Sequence, residues 1–228
     1  MWIFPLIATI ISAFFSGIVF RQYLTRRNPA HLSWTFALFL FGVGTACDFL
    51  ASVGGWTPLI ARTYYLTGAT VVVGFLALGT LYLLAPRPVA RVWLVLMAGA
   101  TILAIFLLAG AGIDPVKLKS ETDPGWKAID KPAMLSGMVV AINSLGTLIL
   151  VVGAAYSAVY RRFALANILI AAGTLIVAGG GSLMRLGHYE FQSIGQALGI
   201  IVMFAGFLMT MAAARALPKT SKTNQSRS

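Results

Sequence analysis

Residues 90–111 read ARVWLVLMAGATILAIFLLAGA, with a single charge, Arg91, at the leading edge. At about 1.5 Å per residue in a helix, this stretch alone crosses the roughly 30 Å hydrocarbon core of a bilayer. It is too long, and too evenly apolar, for the alternating pattern of a lipid-facing strand. Working outward, six further stretches have the same character: 2–20, 34–54, 60–84, 134–158, 164–186 and 191–214. The expected fold is all-α: a polytopic membrane protein forming a seven-transmembrane-helix bundle. Residues 1–216 form the bundle, 113–132 a long external loop, and 217–228 a disordered basic cytoplasmic tail.

The whole composition agrees. The chain is 59% hydrophobic and 10% charged, with a mean hydropathy of +0.87, whereas a water-facing domain carries about 25% charged residues. The one cysteine, Cys47, excludes an intramolecular disulfide and any site built on clustered cysteines. The first apolar run has no basic residues ahead of it and is long for a signal peptide, so it is expected to remain as a span.

The charges set the orientation. Arg21, Arg26, Arg27, Arg87, Arg91, Arg161, Arg162, Arg215, Lys219, Lys222 and Arg227 fall on one side with no acidic residue among them. The other side holds Arg62, Lys117, Lys119, Lys127, Lys131 and Arg185, together with all six acids, Asp48, Asp114, Glu121, Asp123, Asp130 and Glu190. The positive-inside rule then predicts an outer N-terminus and a cytoplasmic C-terminus, in a cell membrane crossed several times. Basic residues gathered at helix ends argue against nucleic acid and for anionic lipid headgroups at the inner face.

Polar residues inside apolar spans are costly and generally turn toward the bundle interior. Asp48 shares a helical face with Gly44, Thr45, Ala51 and Ser52. Arg62 lies on a face with Tyr65, Arg185 closes the sixth span, His188 and Glu190 follow in the next turn, and Gln192 and Gln196 sit one turn apart. These eight, Asp48, Arg62, Tyr65, Arg185, His188, Glu190, Gln192 and Gln196, are the candidate ligand-binding residues of an outward-facing polar pocket. An alternative role for Asp48 and Arg62 is an ion pair joining the second and third spans. Asn143, Ser144 and Thr147 can reach the same space. Gly179, Gly180 and Gly181 form a helix-weakening run that is a candidate hinge, and Gly195 with Gly199 a close-packing motif. A weak echo between spans one to three and five to seven would fit a three-plus-one-plus-three plan. No catalytic set, metal site or cofactor is expected: His31 and His188 lie on opposite sides, which excludes bis-histidine haem, and the last span has no lysine for a Schiff base.

The run Arg26-Arg27-Asn28-Pro29-Ala30-His31 through Trp34, with Trp56, the stretch from Arg62 to Ala69 and that from Leu78 to Arg87, resembles part of the seven-helix N-terminal membrane sensor regions of bacterial histidine kinases. The resemblance covers about the first 90 residues. It implies a sensor with no catalytic residues and, since no kinase region follows, a separate cytoplasmic signalling partner. The leading expectation is therefore a non-enzymatic sensor or accessory protein that binds a small ligand or lipid headgroup at its outer face. The alternatives are a small-solute transporter and a lipid-modifying membrane enzyme.

Overall fold

The computed structural model describes residues 2–120, 124–160, 164–185 and 190–216, with some side chains near the ends of the last three helices, including Arg185 and Glu190, left out. Long helices dominate: α1 (Ile3–Arg26), α2 (Pro29–Gly54), α3 (Pro58–Leu84), α4 (Arg87–Gly110), α5 (Ala133–Tyr160), α6 (Ala164–Arg185) and α7 (Glu190–Ala216). Six of them, all but α6, hold stretches long and apolar enough to cross a membrane; the apolar part of α6 is Ile168–Gly181. The chain is a multi-pass membrane protein.

Its packing is that of a protein dissolved in lipid. Phe14, Phe39, Val95, Phe106 and Val159 are all more than half exposed. The buried positions, in contrast, are largely small: Ala8, Ser12, Ala37, Thr45, Ala61, Ala77, Ala90 and Ala104. Hydrocarbon solvates leucine and phenylalanine as well as a core does, so helices associate where small side chains let backbones approach. Glycine marks two of these approaches. A Cβ on Gly44 in α2 would stand 3.0 Å from the Cα of Gly68 in α3. One on Gly173 in α6 would run into the carbonyl of Gly199 in α7.

The joints between helices follow from local chemistry. Arg27 closes α1 in the left-handed region, at φ 50°, and its N–H donates to the Tyr23 carbonyl over 2.7 Å. Asn28 then caps α2, accepting from the Ala30 N–H at 3.0 Å, with Pro29 in the first turn. These caps start α2 ahead of the expected residue 34, because a polar cap can lie outside the apolar core of a span. Thr57 caps α3 in the same manner, with Pro58 behind it.

α1 packs on α2 and α7, α2 on α3, α3 on α5, α5 on α6, and α6 on α7. α4 touches chiefly α3. Its Ala90, Met97, Ala104 and Leu108 form a single buried stripe, and most of its remaining surface is exposed.

Within α3, Tyr65–Val71 is wound as a π-helix. The Thr70 hydroxyl donates back five residues to the Tyr65 carbonyl at 2.8 Å. An extra residue in a turn takes carbonyls out of the regular ladder, and side chains from neighbouring helices serve these. Asn143 of α5 donates to the Ala69 carbonyl at 2.8 Å, within the π segment. Just below, the indole N–H of Trp93 donates to Gly74 at 2.9 Å and that of Trp34 to Leu76 at 3.1 Å.

The segment between α4 and α5, expected as a long loop, folds into a small cap in its described part. Ile113 and Ile129 bridge antiparallel, with Asp114 N–H donating to the Ala128 carbonyl and Asp130 N–H to that of Gly112, both at 2.9 Å. Leu118, Ala128 and Ile129 pack with Ala61, Tyr65, Leu108 and Leu135. Gly125 sits against the Trp56 ring, where any side chain would collide. Glu121 and Asp123 lie outside the described residues, as does the tail from residue 217.

Candidate functional site

A cavity of about 370 Å³ opens where α2, α3, α5, α6 and α7 meet. Phe41, Val72, Leu76, Val177, Ile200 and Met203 supply its apolar walls. Its polar groups are amides and hydroxyls: Asn143, Ser144 and Thr147 from α5, Thr174 from α6, Gln192 and Gln196 from α7. Gly68 and Ala69 of the π segment form part of its wall, and Gly181 contributes from α6. Among the described lining residues none is acidic, basic or otherwise titratable. Ser144 is exposed, so the cavity meets the surface of the bundle at α5.

Three of these six side chains have hydrogen-bond partners within the chain. The second proton-bearing contact of the Asn143 amide goes to the Val139 carbonyl at 2.9 Å. Thr174 donates to the Ile170 carbonyl at 2.9 Å. Gln192 donates to the hydroxyl of Tyr64, a residue only 3% exposed. Gln196 differs. It is 7% exposed, and its Oε1 has no hydrogen-bond partner. An unsatisfied buried acceptor costs about 1–3 kcal/mol.

Of the eight residues expected from the sequence, Gln192 and Gln196 line the cavity. Asp48 stands behind the wall, accepting from Ser193 of α7 at 2.8 Å and so tying α2 to α7. Arg62 and Tyr65 belong to the cap instead. The Arg62 guanidinium donates to the Ala111 carbonyl at 2.8 Å, fastening the start of α3 to the exit of α4. The expected ion pair with Asp48 is not formed, since each of the two has its own partner on a different helix. Tyr65 is buried beneath Lys131, whose ammonium lies 5.2 Å from its ring and 5.1 Å from that of Trp126. His188 and the side chains of Arg185 and Glu190 lie outside the described residues.

The cap's own charges are pinned by its backbone. Lys131 donates to the carbonyls of Trp126 and Ile129, at 3.0 and 3.1 Å. Burial lowers its pKa, with neighbouring Asp130 acting in the opposite sense. Asp114 accepts from the N–H groups of Val116 and Lys117, and these bonds hold its carboxyl below the usual range.

Two features of the site were not singled out from the sequence. One is Tyr64, buried near the start of α3 and joined to Gln192 of α7. The other is the π segment, whose only sequence trace is Gly68 close to three β-branched residues, Thr67, Thr70 and Val71, all weak helix formers.

No family, curated protein or solved structure matches the chain. The site must therefore be interpreted from its chemistry alone.

Proposed function

We propose that this membrane protein binds a small, uncharged, amphipathic molecule in the central cavity, as a sensor or accessory protein rather than an enzyme. The observation that carries the reading is the lining: one apolar chamber carrying six amide or hydroxyl side chains and no charge among its described residues. A chamber of this volume suits a drug-sized ligand or smaller. Acid–base or nucleophilic chemistry needs a titratable group at the reacting atom, and the described lining offers none. We further propose seven crossings with the N-terminus outside, on the strength of the charge asymmetry. In this frame the capped end faces outward, and the exposed arginines face a cytoplasmic signalling partner.

The test is a substitution that fills the chamber. Gly181 lines it, and a Cβ there meets nothing within 4 Å, so Gly181→Leu has room to enter without pushing backbone apart. Thermal unfolding in detergent is followed while neutral diols and amides of graded chain length are added. Binding at concentrations well above Kd stabilises the native protein by about 2–4 kcal/mol. The expected result is a stabilisation with an optimum chain length in the native protein, lost in Gly181→Leu although the unliganded variant is at least as stable. Equal shifts in both proteins would exclude the cavity as the site.

A transporter is the second reading, and the π segment beside the cavity favours it: transporters build substrate sites where helix backbone inside a span is irregular. Flux of the same probes across proteoliposomes separates the two, because a sensor binds without moving them.

A further inference from the structure

A second cavity, of about 570 Å³, lies at the opposite end of the bundle from the cap. It is lined by Arg27, Asn28 and Pro29 from the α1–α2 turn, and by Tyr82, Arg87 and Arg91 around the α3–α4 turn. We propose that this cleft binds a phosphate group, carried by an anionic lipid headgroup. The proposal goes beyond the reading of the central cavity and does not rest on it.

The first argument is charge. Three guanidinium groups share one cleft, yet Asp48 is the sole acidic residue in the first 113 positions and stands near the far end of α2. None of the three forms a salt bridge among the described residues. Arginines gathered without a carboxylate repel one another, and an anion relieves that repulsion. The planar fork of arginine matches phosphate oxygens in pairs.

The second argument is that the backbone leaves this charge in place. Each of the two turns joins the C-terminus of one helix, α1 or α3, to the N-terminus of the next, α2 or α4. The partial charges of about half a unit at the two kinds of helix end are opposite in sign, so they largely offset one another and the arginines set the field.

The third argument selects a lipid as the source of the phosphate. Beside Arg87 and Arg91, the α4 residues Val92, Val95 and Leu96 are exposed, as is Leu24 on α1. A headgroup seated among the arginines would leave its acyl chains against these apolar surfaces. A free phosphate makes no use of them.

The experiment uses the full chain in a neutral detergent, with retention of added phosphatidylglycerol or phosphatidylcholine read by native mass spectrometry. Arg87→Gln with Arg91→Gln removes two guanidiniums from the cleft. Arg21→Gln with Arg26→Gln removes the same charge from the same end of the bundle but outside the cleft. All four arginines are exposed, so melting temperature serves as the check on folding, and Arg27→Gln repeats the test from the other turn. The expected result is selective retention of phosphatidylglycerol, weakened at least ~10-fold by the cleft variants and little changed by the control. Inorganic phosphate is then added as a competitor. Displacement of the lipid means that the site reads the phosphate itself; persistence of the lipid means that headgroup and chains are read together, and both support the proposal. Equal losses in cleft and control variants, or no preference for phosphatidylglycerol in the native protein, would overturn it.

Discussion

Asp48 and Arg62 show how a pair of opposite charges in neighbouring spans can serve two separate joints. Asp48 accepts a hydrogen bond from the Ser193 hydroxyl and holds α2 to α7, while Arg62 donates one to the Ala111 carbonyl and holds α3 to the exit of α4. They share no partner, so the loss of one leaves the other's hydrogen bond in place. Asp48→Asn and Arg62→Ala, made singly and together, should therefore destabilise the protein additively, to within about 0.5 kcal/mol. Arg62→Ala should be the more damaging of the two, because it deletes the donor outright whereas asparagine can still accept from Ser193. Thermal unfolding of the three variants in detergent measures this directly. A double variant clearly less unstable than the sum would restore the direct pair.

At the scale of the element, α6 and α7 meet through glycine, and position along α6 decides what an added methyl group does. At Gly173 a Cβ would face the carbonyl of Gly199 and the backbone nitrogen of Met203, neither of which can rotate away. At Gly179, less than two turns on, it would meet nothing within 4 Å. Gly173→Ala should thus cost about 1–3 kcal/mol as overpacking, and Gly179→Ala should gain up to about 1 kcal/mol from helix propensity. Chemical unfolding of both variants under one set of conditions gives the contrast; equal effects would mean that the two helices are not in contact at Gly173. Six of the seven expected spans were legible because apolar length is a one-dimensional property of the chain. So was the approach of Gln192 and Gln196, one turn apart on one face. The partners of Arg62 and Asp48 were not, since each lies on another helix, many residues away, and helical spacing says nothing of which helix stands opposite. The π segment was hidden for a different reason: an extra residue in a turn leaves apolar length unchanged and shows instead in carbonyls of the segment, Tyr65 and Ala69, claimed by the side chains of Thr70 and Asn143.

For the molecule as a whole, the two ends are chemically unlike. One gathers Arg27, Arg87 and Arg91 into a cleft with no carboxylate nearby. The other is closed by a folded cap in which Asp114, Lys131 and Trp126 are held by backbone and rings. Basic residues are concentrated toward the arginine end, 11 against 6, and the side richer in lysine and arginine stays in the cytoplasm, so the capped end is the one that should face outward. Single cysteines test this, since Cys47 is buried and can be replaced by alanine. Lys119 and Thr25 are both exposed, at the capped end and at the arginine end respectively. A membrane-impermeant maleimide applied to intact cells should label Lys119→Cys at once, and Thr25→Cys only after the membrane is permeabilised. The reverse pattern would turn the molecule over. The arginine cleft would then face the outer leaflet, and the cap would face the cytoplasm.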